Sequence, residues 1–581
     1  MKYNMKNNNA YKNQINVMRL FFAFLFLYLS SLDILAIERQ ALETRRLILN
    51  HNQPLSEQIV FPGVIYVVSS DFDLEKGELR LPSNSILEFN GGRLLNGVVS
   101  GNKMPTNDSY CPEQFGAGMS GDDTEAIQSC LNVCHNIEMK GYYHVSNNYC
   151  DKKNSILLVP SNTNICLDGT ITLLPVNSSQ YSIFSIKNSH TVNIYGNGSI
   201  IGDKDKTNII KGEHGMGISI TGSSSCISLN GLSILNCFGD AIYIGAEIQN
   251  DNYLEPSFIE IMNCELYQCR RQGVSIVIGH HIKINNCNIH DIRGTAPGSA
   301  IDIEPQYKNH IIHDVTISKS QFNNCVMALY CGGANIKSYK INISDCSSNS
   351  GAIEWRLCDK TTITNCTFCS PMYVDNVVIQ DSFVQSLYYK GDNDVISSKP
   401  NIYAKNCKFQ IIGCVIPNGY VRLKDCIVDY PADLKILDGS PLRGGFLELI
   451  DCSCTGLGAN YKYSPEIRHL KAIRCFFQYN KAVCLQGDVL DLKYCVVKGQ
   501  NIEEDNALVY ARKSGSRMRG CELYYLNSTS SKLVWVIRGG DAGGFEVLNT
   551  VVYSHNLDVI STRNITPISI LFNKINQIID N

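Results

Sequence analysis

Asp302 and Glu304 stand one residue apart in the segment GSAIDIE. On a β-strand, residues i and i+2 face the same side with Cα atoms about 6.6 Å apart. Two carboxyls so placed fall in the range that glycosidases use. A gap of roughly 6.5–9.5 Å leaves room for a water and inverts the anomeric centre, and about 5–5.5 Å suits retention. Mutual repulsion would raise one pKa and leave the other group ionised, as an acid and its partner require. Asp240, in the related segment GDAIYIG, is a third catalytic candidate.

Five segments align with this pair: GDAIYIG, RRQGVSIV, GSAIDIE, VMALYCG and SGAIEWR. They anchor on Ala241, Gly273, Ala300, Ala328 and Ala352, with steps of 32, 27, 28 and 24 residues. Alternation sends Ile242 and Ile244, and their equivalents up to Ile353 and Trp355, toward a core. Tyr243, Ser275, Asp302, Tyr330 and Glu354 then form one outward file; Gly245, Val277, Glu304, Gly332 and Arg356 form the next. Stacked about 4.8 Å apart, Arg271 and Gln272 would flank Asp302 from below and Tyr330 from above. The expected substrate-binding residues are Arg271, Gln272, Tyr330, Glu354 and Arg356, with His281 and Arg293 at the border of the cleft.

Three kinds of chemistry fit such a face. A glycoside hydrolase would use the paired carboxylates and no metal. A polysaccharide lyase, cleaving uronic-acid glycans by β-elimination, would need a base and a group to neutralise the uronate. Arg271, Arg356, Tyr330 and His281 serve that reading, with Ca2+ held by Asp302 and Glu304. A non-catalytic glycan-binding or adhesive solenoid would use the same side chains for contact alone. The expected partner is a polysaccharide, acidic if Arg271 is to pair with a carboxylate or sulfate.

The elements that must carry these residues are repeated. Segments such as MNCEL, NNCNI, SDCSS, TNCTF and KNCKF place Cys264, Cys287, Cys346, Cys366 and Cys407 in one frame. Cys426, Cys452, Cys475, Cys495 and Cys521 continue it, and Ser320, Ser382 and Thr550 fill gaps. Steps of mostly 19 to 33 residues are the period of a solenoid, not of a disulfide framework. Asn or Asp precedes most of these cysteines and tolerates the left-handed corner a coil needs. Short strands without helical crossovers predict an all-β, right-handed parallel β-helix of about sixteen coils from Ile165 to Val552. The cysteine column reads as an internal ladder of small apolar side chains. Cys366 with Cys369, and Cys130 with Cys134 and His135, lack the second half of a zinc site.

Upstream, residues 37–110 read as a strand-rich lead-in, 111–160 as a capping helix and first coil, and 161–581 as the β-helix. Ala126, Ile127, Cys130, Leu131 and Cys134 make one helical face that would plug the open end of the solenoid. Asp122 and Glu125 have the spacing of a capping box. Residues 1–36 read as an export signal: Lys2, Lys6, Lys12 and Arg19 precede a short apolar run from Leu20 to Leu29. The expected location is periplasmic, cell-surface or secreted, with no membrane span after signal removal. The chain carries 51 basic and 54 acidic side chains, a net charge of −3, which argues against nucleic-acid binding through bulk charge.

The stretch FGAGMSGDDTEAIQ resembles the opening motif of the pectate-lyase-like superfamily of right-handed parallel β-helix proteins, with MSG compressing its middle. That superfamily holds lyases, glycoside hydrolases, epimerases, esterases and phage tailspikes, so the resemblance implies the fold and a secreted polysaccharide-active type rather than one reaction. It also implies structural roles for Asp122, Asp123 and Thr124. Gly279-His280-His281 is similar to the GHG of polygalacturonase-like hydrolases without its last glycine, and Gly239-Asp240 to part of their second acid motif.

Overall fold

A computed structural model describes residues 45–574. It leaves out 148–154, 177, 179, 207–211, 250–251, 307–309, 333–337, 357, 391–398, 415–418, 430–444, 457–467, 480–484, 501–506, 527–533, 541–543 and 568. The expected export signal lies outside the described residues.

The chain is a right-handed parallel β-helix. One face is a ladder of parallel strands that includes Thr163–Leu167, His190–Tyr195, Ser225–Asn230, Ser257–Met262 and Gly279–Asn285, each paired with the next. From Thr163–Leu167 to Phe545–Leu548 it makes about sixteen coils. Ser109–Tyr110 and Asn136–Met139 extend the ladder below, and Ile565–Pro567 above. Alternating Ile, Leu and Val fill the interior at every level.

The corners follow from residue type. Asn263, Asn286, Asp345, Asn365, Asn406, Asp425 and Asp451 all have φ between 52 and 55°, a region Asn and Asp tolerate better than most residues. Their side chains also bond from coil to coil. Asn286 Nδ2 donates to Asn263 Oδ1, and Asn263 Nδ2 to Asn230 Oδ1, each at 2.7 Å.

The cysteine column is interior, as its frame predicts; Cys264, Cys287, Cys346, Cys366 and Cys407 are buried free thiols. Its role is more polar than packing alone. The N–H of Cys346 donates to Cys366 Sγ at 3.4 Å, and that of Cys407 to Cys426 Sγ at 3.4 Å. Where serine substitutes, Cys287 N donates to Ser320 Oγ at 3.1 Å and Cys366 N to Ser382 Oγ at 3.0 Å. Each left-handed corner turns the following N–H inward, so the column wants a small side chain that accepts a hydrogen bond. Cys and Ser both meet that need.

The lead-in is itself a small parallel coil: Arg46–Ile48, Ile65–Val68 and Ile86–Phe89 pair in order, and Glu78–Leu81 pairs with Val98–Gly101. The helix Thr124–Val133 buries the predicted face and stands between the lead-in and the first coils. Ser129 Oγ accepts from Val99 N at 2.8 Å on one side, while Gln128 exchanges two bonds with the Leu158 backbone on the other. The expected capping box is not formed. Asp123 is the N-cap residue and makes no side-chain cap bond. Asp122 instead accepts from Thr124 Oγ1 and Ser146 Oγ at 2.6 Å, and Asp123 from the N–H groups of Gly118 and His144 at 2.6 and 2.8 Å. These acids tie the helix start to the neighbouring turn and strand.

Candidate functional site

Strands Ile242–Gly245, Val274–Ile276, Ser299–Ile303, Met327–Cys331 and Ala352–Trp355 stack in parallel on another face. Their register makes Tyr243, Ser275, Asp302, Tyr330 and Glu354 successive partners, and the file continues through Tyr373 and Tyr388. The alternate residues, from Ile242 and Ile244 to Ile353 and Trp355, are buried in the core.

Asp302 points outward yet is fully buried, unlike the exposed carboxylate that a strand face leads one to expect. Its neighbours explain its orientation. Gln272, from the coil below, donates through Nε2 to Asp302 Oδ2 at 2.7 Å. The Gln272 carbonyl accepts from Ser299 N at 2.8 Å and Ser299 Oγ at 2.7 Å. The backbone N–H can only donate, so the amide cannot be turned round. Asp302 Oδ1 has no hydrogen-bond partner. Burial, then the Glu304 and Asp240 carboxylates, pushes the Asp302 pKa well above the usual range. A proton on this acid would sit on Oδ1, because Oδ2 accepts from Gln272. The expected repulsion within the pair operates, but desolvation is the larger cause.

Arg271 is almost wholly buried and faces three acids: Asp240 Oδ2 at 3.3 Å, Glu213 Oε2 at 3.6 Å and Glu304 Oε2 at 3.8 Å. Burial works against its charge, but the carboxylates of Asp240, Asp302, Glu213 and Glu304 outweigh that and raise its pKa. Asp240 is fully buried, and its carboxyl is pushed up to about 7, mainly by desolvation. Glu304 keeps 30% of its side chain exposed and Glu213 50%, so these two are the open members of the cluster. Asp240 Oδ1, Arg271 Nε, Ser275 Oγ and Asp302 Oδ1 are all buried without a hydrogen-bond partner, a concentration that native interiors avoid outside functional sites.

Above the cluster, a Cβ added at Gly332 would lie 2.5 Å from Tyr330 Oη, so the tyrosine ring folds over that glycine. Burial and then Glu304 raise the Tyr330 pKa. Glu354 lies two coils above Asp302 and is held by Arg356 at 2.5 Å and Lys390 at 3.2 Å. Arg356 is thus committed within its own coil.

His281 and Arg293 do not join the cluster. His281 belongs to strand Gly279–Asn285 of the other ladder and stacks on Phe258 with ring centroids 4.7 Å apart. Arg293 turns away at a corner, where its Nη2 donates to the Asn324 carbonyl at 2.9 Å. The His281 expectation came from its likeness to a GHG motif and from a lyase's need for a base, and that of Arg293 from its place in the turn before Ala300; the strand of the other ladder and the corner carry the two side chains elsewhere. Glu213 was missed because it precedes the aligned column and reaches Arg271 from a turn. The locking role of Ser299 was legible only as a polar residue before Ala300.

No protein-family model matches the chain. The uncharacterized protein YclG of Bacillus subtilis (strain 168) is 29% identical over 236 residues, 36% of this chain and 40% of YclG, so the match spans less than half of that relative. Among solved structures, the tailspike protein of E. coli bacteriophage HK620 in complex with pentasaccharide aligns over 75% of this chain and 77% of its own, at 11% identity and a TM-score of 0.34. A single-substitution mutant of that tailspike, also in complex with pentasaccharide, aligns over 78% and 75% at 10% identity and a TM-score of 0.37.

Proposed function

We propose that this chain is a secreted carbohydrate-active protein that hydrolyses a glycosidic bond, with Asp302 as general acid and Glu304 as its carboxylate partner. The observation that carries the reading is the unequal environment of two acids on one strand. Asp302 is buried, oriented by Gln272 and shifted toward its protonated form, while Glu304 is partly open to solvent. That is the asymmetry an acid and a base or nucleophile need. Asp302 Oδ1 is buried in the free protein, so it would deliver its proton to the leaving oxygen only after the side chains that cover it part on substrate binding. Glu304 would either activate a water or attack the anomeric carbon, forming and then losing a glycosyl ester. Asp240 is better placed as the residue that holds Arg271, and Arg271 as the group that holds Glu304.

The lyase reading is weaker, because Arg271 is already matched by three carboxylates and is a poor partner for a uronate. The test is a screen of the purified protein on neutral and acidic polysaccharides. New reducing ends without absorbance near 235 nm support hydrolysis. An unsaturated product absorbing there would establish elimination instead, and binding without either signal would leave a glycan-binding solenoid.

A further inference from the structure

The Asp302 file does not begin at Tyr243. Ser185 pairs with Ser219, and Ser219 with Tyr243, so the file runs down two more coils. There the face sinks into a cavity of about 370 Å³, lined among others by Ser155, Ser182, Ser185, Ser219, His214 and Tyr243. This volume lies within the usual range of ligand clefts, about 300–1,000 Å³. From Ser219 to Asp302 is three coils, about 14 Å at about 4.8 Å per coil. The groove and the acid cluster therefore lie along one track of stacked strands, with the buried Ser275 between them.

The track is rich in hydroxyls, and among its described residues Lys187, Arg271, Arg356 and Lys390 each face a carboxylate. At the rim, Lys187 is paired with Glu247 at 2.5 Å. Arg271 faces Asp240, Glu213 and Glu304, and Arg356 and Lys390 both hold Glu354. His214, between the cavity and Arg271, is driven toward its neutral form by burial and then by Arg271. Beside Asp302 an anionic sugar would lose water for an Arg271 already matched by carboxylates and would meet Glu304 and Glu213. A neutral sugar would exchange hydrogen bonds with serine hydroxyls and rest against a tyrosine.

We infer that the site takes a neutral glycan, binds a run of its units along the Ser155–Tyr243 groove, and rejects uronate or sulfated units beside Asp302 and Glu304. The position of the scissile bond rests on the hydrolase reading above; the sugar class rests on the charges and the groove lining.

The experiment is calorimetric titration of Asp302→Asn protein with oligosaccharides of galactomannan and arabinoxylan, against those of polygalacturonate and chondroitin sulfate. At least one neutral series should bind tenfold or more tighter than both acidic ones, with little dependence on salt. Ser182→Phe, which fills the groove from a half-exposed position, should weaken that binding tenfold or more, and Ser219→Ala, which removes only a hydroxyl, severalfold. Glu213→Gln should narrow the gap between neutral and acidic ligands. Tighter, salt-sensitive binding of an acidic series overturns the inference. So does failure of every neutral series to bind, or unchanged binding in both serine variants. Neutral binding without cleavage by the wild-type protein removes the hydrolase reading and keeps the sugar class; cleavage of an acidic polymer does the reverse.

Discussion

Gln272 Nε2 lies 2.7 Å from Asp302 Oδ2, and the same amide is locked from behind by the N–H and hydroxyl of Ser299. One coil thus sets the rotamer and the proton position of an acid on the next. The arrangement separates the group that would do chemistry from the group that aims it.

Asp302→Asn should lower turnover about 10²–10⁴-fold, the usual cost of losing a general acid. The fold should survive, since an asparagine carbonyl can still accept from Gln272. Glu304→Gln should cost turnover to a similar degree. Circular dichroism and a thermal melt check the fold, and reducing-end release checks the rate. Full activity in both variants would move the site elsewhere.

Gln272→Ala should act through Asp302. Without the amide, the ionised carboxylate loses its one donor, so its pKa should rise further and the alkaline limb of the kcat profile should shift upward. The expected pattern is a fall in kcat with little change in KM. A uniform loss of folded protein, with the pH profile unmoved, would mean that Gln272 is only structural.

Asp240 should make stability depend on pH. Its folded value of about 7 lies above the ordinary aspartate value of 3.8, so the native state binds more protons between those values. Its contribution is full below about pH 4 and is lost as pH rises through 7. Asp240→Asn should therefore flatten the fall in melting temperature between pH 4 and 8. Arg271→Ala should steepen it, because Asp240 would be left buried beside like charges.

The cysteine column should tolerate serine better than alanine. Cys366→Ser keeps an acceptor for the Cys346 N–H, whereas Cys366→Ala leaves that buried donor unpaired at a cost of about 1–3 kcal/mol. Denaturant titration of the two variants distinguishes them. Equal stability would return the column to simple packing.

Residues 1–36 should be absent from the mature protein if the export reading holds. Mass spectrometry of protein recovered from the envelope or medium checks it, and an intact Met1 on exported chains would contradict it.

The amino-acid sequence by itself determined the register. Alternation with period two, a small residue at the start of each strand and an Asn or Asp at each corner are local features, and each coil repeats them. From these it follows that Asp302 stacks between Ser275 and Tyr330, and that Arg271 and Gln272 lie one coil below. Only the tertiary structure decided what those neighbours do. Asp302 faces away from the core and is buried all the same. Arg271 is near the acids but committed to three of them, one from a turn outside the repeat. His281 and Arg293 are near in sequence and turned aside. The physical reason is that register depends on backbone pairing, which the repeat enforces at every level. Desolvation and ion pairing instead sum over side chains from several coils and from connecting turns that follow no common pattern.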